Sequence, residues 1–163
     1  ENMNAWNKRV PEIAYLLNPA FCSLIIYHVI LEYQKKSSRD FPITLVYLVL
    51  PIILHKSTRE RITSKTNMVV WIQKNPDVLI GFPSRAKSLV PFANESIEFL
   101  LQKNILEISH SELSVVKTLS KAKINVIADQ EILECINKAA HVGRWFAQMG
   151  AEENIYAVWG VKP

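Results

Sequence analysis

The stretch Asn104-Ile105-Leu106-Glu107-Ile108-Ser109-His110-Ser111-Glu112-Leu113-Ser114-Val115-Val116 decides how this chain is read. Two short runs of roughly alternating polarity flank a small polar turn. That is the pattern of a β-hairpin, whose successive side chains point to opposite faces. Everything upstream reads as helix. Several helices followed at once by a hairpin is the order of a winged helix. The expected fold is therefore mainly α (α+β), a winged-helix-like helical domain with a β-hairpin near 105–116 and a long C-terminal helix.

Toward the N-terminus, Ala93, Ile97, Leu100 and Leu101 form a helical apolar stripe, and Gly81 and Pro83 mark a break, so Pro76 to Lys103 is a helix pair or a kinked helix. Ser64 to Lys74 predicts a helix with Met68, Val69, Trp71 and Ile72 inward. Ser57-Thr58-Arg59-Glu60 has capping-box spacing and predicts a short helix. Ile43 to Leu54 is an apolar run whose periodicity does not separate strand from helix. Its length and Pro51 favour a short helix that ends or kinks near that proline. Asn18-Pro19 is a helix start, an Asn cap followed by Pro at the first helical position. The helix it opens runs to about Lys36 and is apolar on most sides, so it is central.

Downstream of the hairpin, Lys117 to Ala128 is a connector. Asp129 caps a long helix carrying Ile132, Cys135, Ile136, Ala139, Ala140, Trp145, Phe146 and Met149, with Gly150 as its stop. The tail from Ile155 to Val161 has strand character. The expected organisation is a single domain, helical and winged-helix-like over 1–116, with the connector, C-terminal helix and tail over 117–163.

The 163 residues are 49% hydrophobic and 21% charged, which excludes disorder. A mean hydropathy of +0.08 suggests more apolar surface than a lone monomer needs. Net charge is +4, and the excess lies between Lys35 and Lys65, where seven Lys/Arg face only Asp40 and Glu60. Lys56, Arg59, Arg61 and Lys65 are candidate basic contacts to an acidic protein face or to DNA phosphates, with an ordinary solvated surface as the competing reading. Cys22 and Cys135 lie far apart in apolar helices and read as buried thiols in a reducing cytosol. Ile13 to Leu31 lacks charges, but Asn18-Pro19, Ser23 and His28 interrupt it, so no membrane span is expected. Glu1 to Arg9 has no signal-peptide pattern, and Glu1-Asn2 ahead of Met3 reads as a cloning remnant.

No phosphate-binding GxxxxGK[ST] occurs, nor GxGxxG, HExxH, GxSxG or a spaced Cys/His set. No catalytic residue, metal or cofactor is expected. His28, His55, His110 and His141 are scattered. His28 reads as a hydrogen-bonded core residue and His110 as an exposed hairpin tip. Glu131 and Glu134 precede Lys138 at the spacing of ordinary surface pairs. The hairpin's Glu107 and Glu112 argue against its entering a DNA groove.

Trp6-Asn7-Lys8-Arg9, Pro11-Glu12 and Leu17-Asn18-Pro19-Ala20-Phe21 resemble the opening of the middle components of bacterial three-component ABC systems. Tyr47-Leu48-Val49-Leu50-Pro51-Ile52-Ile53-Leu54-His55-Lys56, with Thr58-Arg59 after it, is similar to the same group. So are Trp71, Phe82 with Arg85-Ala86, Gly143-Arg144-Trp145-Phe146 and Trp159-Gly160-Val161-Lys162-Pro163. Asn104 stands where a helix-ending glycine is expected. The resemblance implies a cytoplasmic, non-catalytic adaptor of an SMC-like ATPase system of the Lamassu type, acting against phage or plasmid DNA. Its partners would be the ABC ATPase dimer, an effector that is often a nuclease, and DNA reached through the complex. Trp6, Asn7, Trp145, Phe146, Tyr156 and Trp159 are the candidate partner contacts, each with core packing as the competing reading. A stand-alone winged-helix DNA-binding regulator is the alternative, and a small enzyme with a dispersed site is a third.

Overall fold

Asn18 turns the chain into its first helix. Its Oδ1 accepts from the amides of Ala20 at 2.9 Å and Phe21 at 3.4 Å, and Pro19 follows at the position that needs no donor. The computed structural model describes residues 17–120 and 129–162. In it α1 spans Pro19–Ser37. There follow β1 (Phe41–Pro42), a turn of 3-10 helix (Ile43–Leu45), α2 (Val46–Ile53), α3 (Lys56–Arg61), α4 (Met68–Lys74) and a second 3-10 turn (Pro76–Leu79). Then come α5 (Phe82–Gln102), the hairpin β2 (Leu106–Ser109) and β3 (Glu112–Val115), α6 (Gln130–Met149) and α7 (Glu152–Val158). The fold is mainly α.

The centrality of α1 follows from its composition. Cys22, Ile25, Ile26, Val29 and Ile30 fill one face and are fully enclosed, and Phe21, Ser23, Tyr27 and Tyr33 extend the buried surface over most of its circumference. It packs chiefly against α6 and next against α5. Cys22 and Cys135 are both buried, which pushes their thiols up to about 12 and about 11. The apolar run after β1 resolves as helix. Pro51 lies inside α2, which ends at Ile53, and every residue from Leu45 to Leu54 except Tyr47 is buried.

The hairpin is where the alternating pattern put it. Leu106 faces Val115, and Ile108 faces Leu113. His110 and Ser111 both have positive φ, 52° and 62°, as a tight two-residue hairpin turn requires. β1 adds to the other side of β3, Phe41 facing Leu113, so the sheet order is β1-β3-β2.

Asn104 ends α5 with a φ of 55°. The Ile105 amide reaches the Leu100 carbonyl at 3.0 Å and the Asn104 amide the Leu101 carbonyl at 3.1 Å, a Schellman pair with asparagine in the left-handed position. Asparagine tolerates this region better than any residue with a larger side chain. Asn104→Ala is expected to cost about 1 kcal/mol, whereas Asn104→Gly should change stability by only about a few tenths. Denaturant midpoints of the two variants check it.

Two local expectations need correction. The tail is helix, not strand: Glu152 and Glu153 open α7 with the favoured sign of charge, and Ile155, Tyr156 and Trp159 fall on one buried helical face. Its β-branched and aromatic residues suit a strand, but inward packing at helical spacing overrides that preference. Gly160, at φ 70°, closes α7 with a second Schellman pair, Val161 to Tyr156 and Gly160 to Ala157, both 3.1 Å. Nor does Ser57 cap α3. The helix begins one residue earlier behind His55, whose Nδ1 lies 2.7 Å from Thr58 Oγ1.

Candidate functional site

Of the candidate partner contacts, Trp6 and Asn7 lie outside the described residues. The other four are core. Trp145, Phe146, Tyr156 and Trp159 are each no more than 5% exposed. Trp71 is the centre of this aromatic cluster, 5.2 Å from Trp145 and 6.3 Å from Trp159 between ring centroids, and Phe82 lies 4.8 Å from Trp159. The indole N–H groups are bonded too: Trp71 to the Arg61 carbonyl at 2.7 Å, Trp145 to that of Thr66 at 3.0 Å, and Trp159 to Met68 Sδ at 3.3 Å. These rings fix α4, α6 and α7 to one another. The three indoles are thus enclosed with their N–H groups bonded inside the chain, and Phe146 lies beside them, while Tyr156 also lines the groove described below.

The basic cluster does not act as one surface. Lys56 and Lys65 are exposed. Arg61 is clamped to Asp77 by two parallel bonds of 3.0 and 2.8 Å. Arg59 is 0% exposed: Nη1 donates to the Ile53 carbonyl at 2.9 Å and Nη2 to Glu131 Oε1 at 3.0 Å, with Glu134 Oε1 3.8 Å from Nε. Arg59 is therefore an internal tie between the α2–α3 corner and α6, not a contact for phosphates. The same geometry corrects the pairing of Glu131 and Glu134. They serve Arg59, while Lys138 donates to the Ile62 carbonyl.

His110 is exposed at the hairpin tip, as expected, and Ser109 Oγ lies 2.9 Å from its Nδ1. His28 is half-buried on α1, but its Nε2 has no hydrogen-bond partner among the described residues. Burial lowers its pKa to about 4 despite Glu32 nearby. An unfolded histidine takes its proton near pH 6.5, so the unfolded state binds more protons between that value and about 4. Stability contributed by neutral His28 is present above that window and is lost as pH falls through it. His55 and His141, also lowered by burial, act in the same direction. The expected result is a steeper loss of melting temperature from pH 7 to pH 5 in the native chain than in a His28→Gln variant.

Two of the surface hollows involve residues already described. One is an open groove of about 440 Å³ whose lining is mostly apolar: Tyr47, Leu48, Ala86, Val90, Tyr156 and Val161. The Tyr156 hydroxyl donates to the Thr44 carbonyl, and that of Tyr47 to Asn94 Oδ1 at 2.6 Å. Burial pushes Tyr156 up to about 12, so it stays a neutral donor. Another hollow, smaller and more polar, has Lys65, His141 and Arg144 around it, and there Arg144 is tied to Glu32 at 3.1 Å. Of the groove residues only Tyr156 was a candidate partner contact from the sequence, although Tyr47, Leu48, Ala86, Val161 and Lys162 lie in the strings that carry the family resemblance. The available signal was Pro83, Ala86, Lys87 and Val90 at i, i+3, i+4 and i+7, one face of α5. Among the described residues no group of three His, Cys, Asp or Glu could hold a metal ion, and no helix is long and apolar enough to cross a membrane.

These observations define a small, mainly α protein whose buried aromatic side chains and Arg59 bind its own helices together, leaving an apolar groove that no described residue covers. The chain belongs to the family described as ABC-three component (ABC-3C) system Middle Component 3, whose model matches residues 6–163. No curated protein and no solved structure matches it.

Proposed function

We propose that this chain is the non-catalytic adaptor of its ABC-three component system. It grips an SMC-like ABC ATPase dimer, of the Lamassu type used against phage or plasmid DNA, and a separate effector such as a nuclease. It couples DNA engagement by the ATPase to release of the effector, and it works in the cytoplasm. The observation that carries this reading is the family match over nearly the whole chain. An apolar groove that no described residue covers supports it, since a subunit that holds others needs surface left to bury. Co-expression with the ATPase and effector components, followed by affinity capture and size-exclusion chromatography, tests it. A stable complex and no turnover by the isolated chain are expected. A monodisperse chain that binds neither component, or one that turns over a substrate alone, overturns it.

A second reading, a stand-alone winged-helix DNA-binding regulator, is favoured by the β1-β3-β2 sheet order behind a set of helices. Glu107 and Glu112 on the hairpin and the internal use of Arg59 count against it. Duplex binding with a steep salt slope and a sequence preference would support it.

A further inference from the structure

We propose that the apolar groove is the seat of an amphipathic helix from a partner component, apolar on its buried face and carrying carboxylates along its edges. This rests on the adaptor reading and names the chemistry of one of its contacts. The first argument is shape. One wall is a single helix face of α5, Pro83, Ala86, Lys87 and Val90, and the opposite side is α7 with the residues that follow it. A ridge at i, i+3, i+4 and i+7 beside a second helix makes a slot that a third helix fills by ridge-in-groove packing.

The second argument concerns backbone groups. The hydroxyls of Tyr47 and Tyr156 already donate within the chain. An extended peptide entering this apolar slot would bring amides and carbonyls with little to pair with, whereas a helix satisfies its own. The third argument is charge. Lys87 and Lys162 are exposed at the groove, neither has an ion-pair partner among the described residues, and no acidic residue lines it. Two uncompensated cations at an apolar slot select carboxylates in the occupant.

The test uses the whole chain co-expressed with the ATPase and effector components of its system. Lys87→Glu/Lys162→Glu, both on exposed residues, reverses the cationic rim without touching the core. Val90→Glu places a carboxylate in the slot. Melting temperatures confirm that each variant is folded, and the rim variant keeps the test intact if Val90→Glu fails to fold. The expected result is at least about a tenfold loss of affinity for one component in the rim variant, a weaker salt dependence of what remains, and loss of capture with Val90→Glu. A photo-crosslinker in place of Lys87 should mark a helical segment of that component bearing Asp or Glu. If the unmodified chain binds both components and the folded variants bind equally well, the groove assignment falls while the adaptor reading stands. If the unmodified chain binds neither, both fall. A concentration-dependent dimer of the chain that the rim reversal dissociates assigns the groove to a second copy and overturns the proposal.

Discussion

Exchange of Arg59 for alanine is expected to lower the unfolding free energy by about 3 kcal/mol, the lower end of the cost of removing one partner from a buried ion pair. In a domain of this size that corresponds to a melting temperature lower by roughly 6–12 °C. Arg59 is 0% exposed, and its guanidinium joins the Ile53 carbonyl at the end of α2 to Glu131 and Glu134 on α6. Removing it leaves that carbonyl without its donor and a void where the aliphatic stem lay. The two carboxylates are 39% and 34% exposed, so they regain water, which keeps the loss from being larger. The sharper comparison removes the other side. Glu131→Gln/Glu134→Gln strands a fully enclosed cation and should cost at least as much as Arg59→Ala. Arg59→Met added to that double change should recover most of the loss, because an apolar residue of similar volume needs no counter-charge. Chemical denaturation of the three variants reads the coupling directly. If Arg59→Ala leaves the midpoint unchanged, the guanidinium is not enclosed and returns to the pool of surface cations.

That arginine also shows where reading the sequence stops. Local signals were legible. Asn18-Pro19 and Asp129 cap helices because their side chains meet amides two or three residues on, a relation contained within a few positions. The 106–115 hairpin was legible because alternation is a two-residue period. Arg59 next to Lys56, Arg61 and Lys65 looks like one cationic patch in sequence, yet its partner Glu131 is 72 positions away. Only the fold turns its side chain inward while Lys56 and Lys65 remain outside. The same holds for Trp159, whose neighbours Trp71 and Phe82 are distant in sequence. A large aromatic residue near a terminus carries no local mark that tells core from contact. The groove was illegible for the complementary reason. It is made by what α2, α5 and α7 fail to cover, and Pro83, Ala86, Lys87 and Val90 individually resemble any partly exposed helix face.

Gly143→Ala should reverse the usual sign of a helical glycine substitution. Inside a helix, alanine is ordinarily favoured over glycine by about 1 kcal/mol. Here a Cβ at position 143 would lie 2.4 Å from the Val29 carbonyl oxygen and 3.1 Å from both Glu32 Cβ and the Tyr33 amide nitrogen. The nearest obstacle is backbone of α1, which has no rotamer to change, so α6 must move away. That contact is the most extensive between any two elements of the fold. The same helix carries Val142, Trp145 and Phe146 into the core, and any displacement loosens their packing as well. The expected net loss is about 3 kcal/mol or more, the upper end of what overpacking costs. Gly81→Ala provides the control. It has nothing within 4 Å of the added carbon and lies in the left-handed region at φ 72°, so its loss should be about 1 kcal/mol from the backbone conformation alone. Thermal melts of the two variants separate clash from conformation. A red shift of tryptophan emission in Gly143→Ala would report that the Trp145 environment has opened. A Gly143→Ala protein as stable as the native chain, or more so, would mean that α1 and α6 do not approach this closely, and the central pairing on which the fold is built would have to be redrawn.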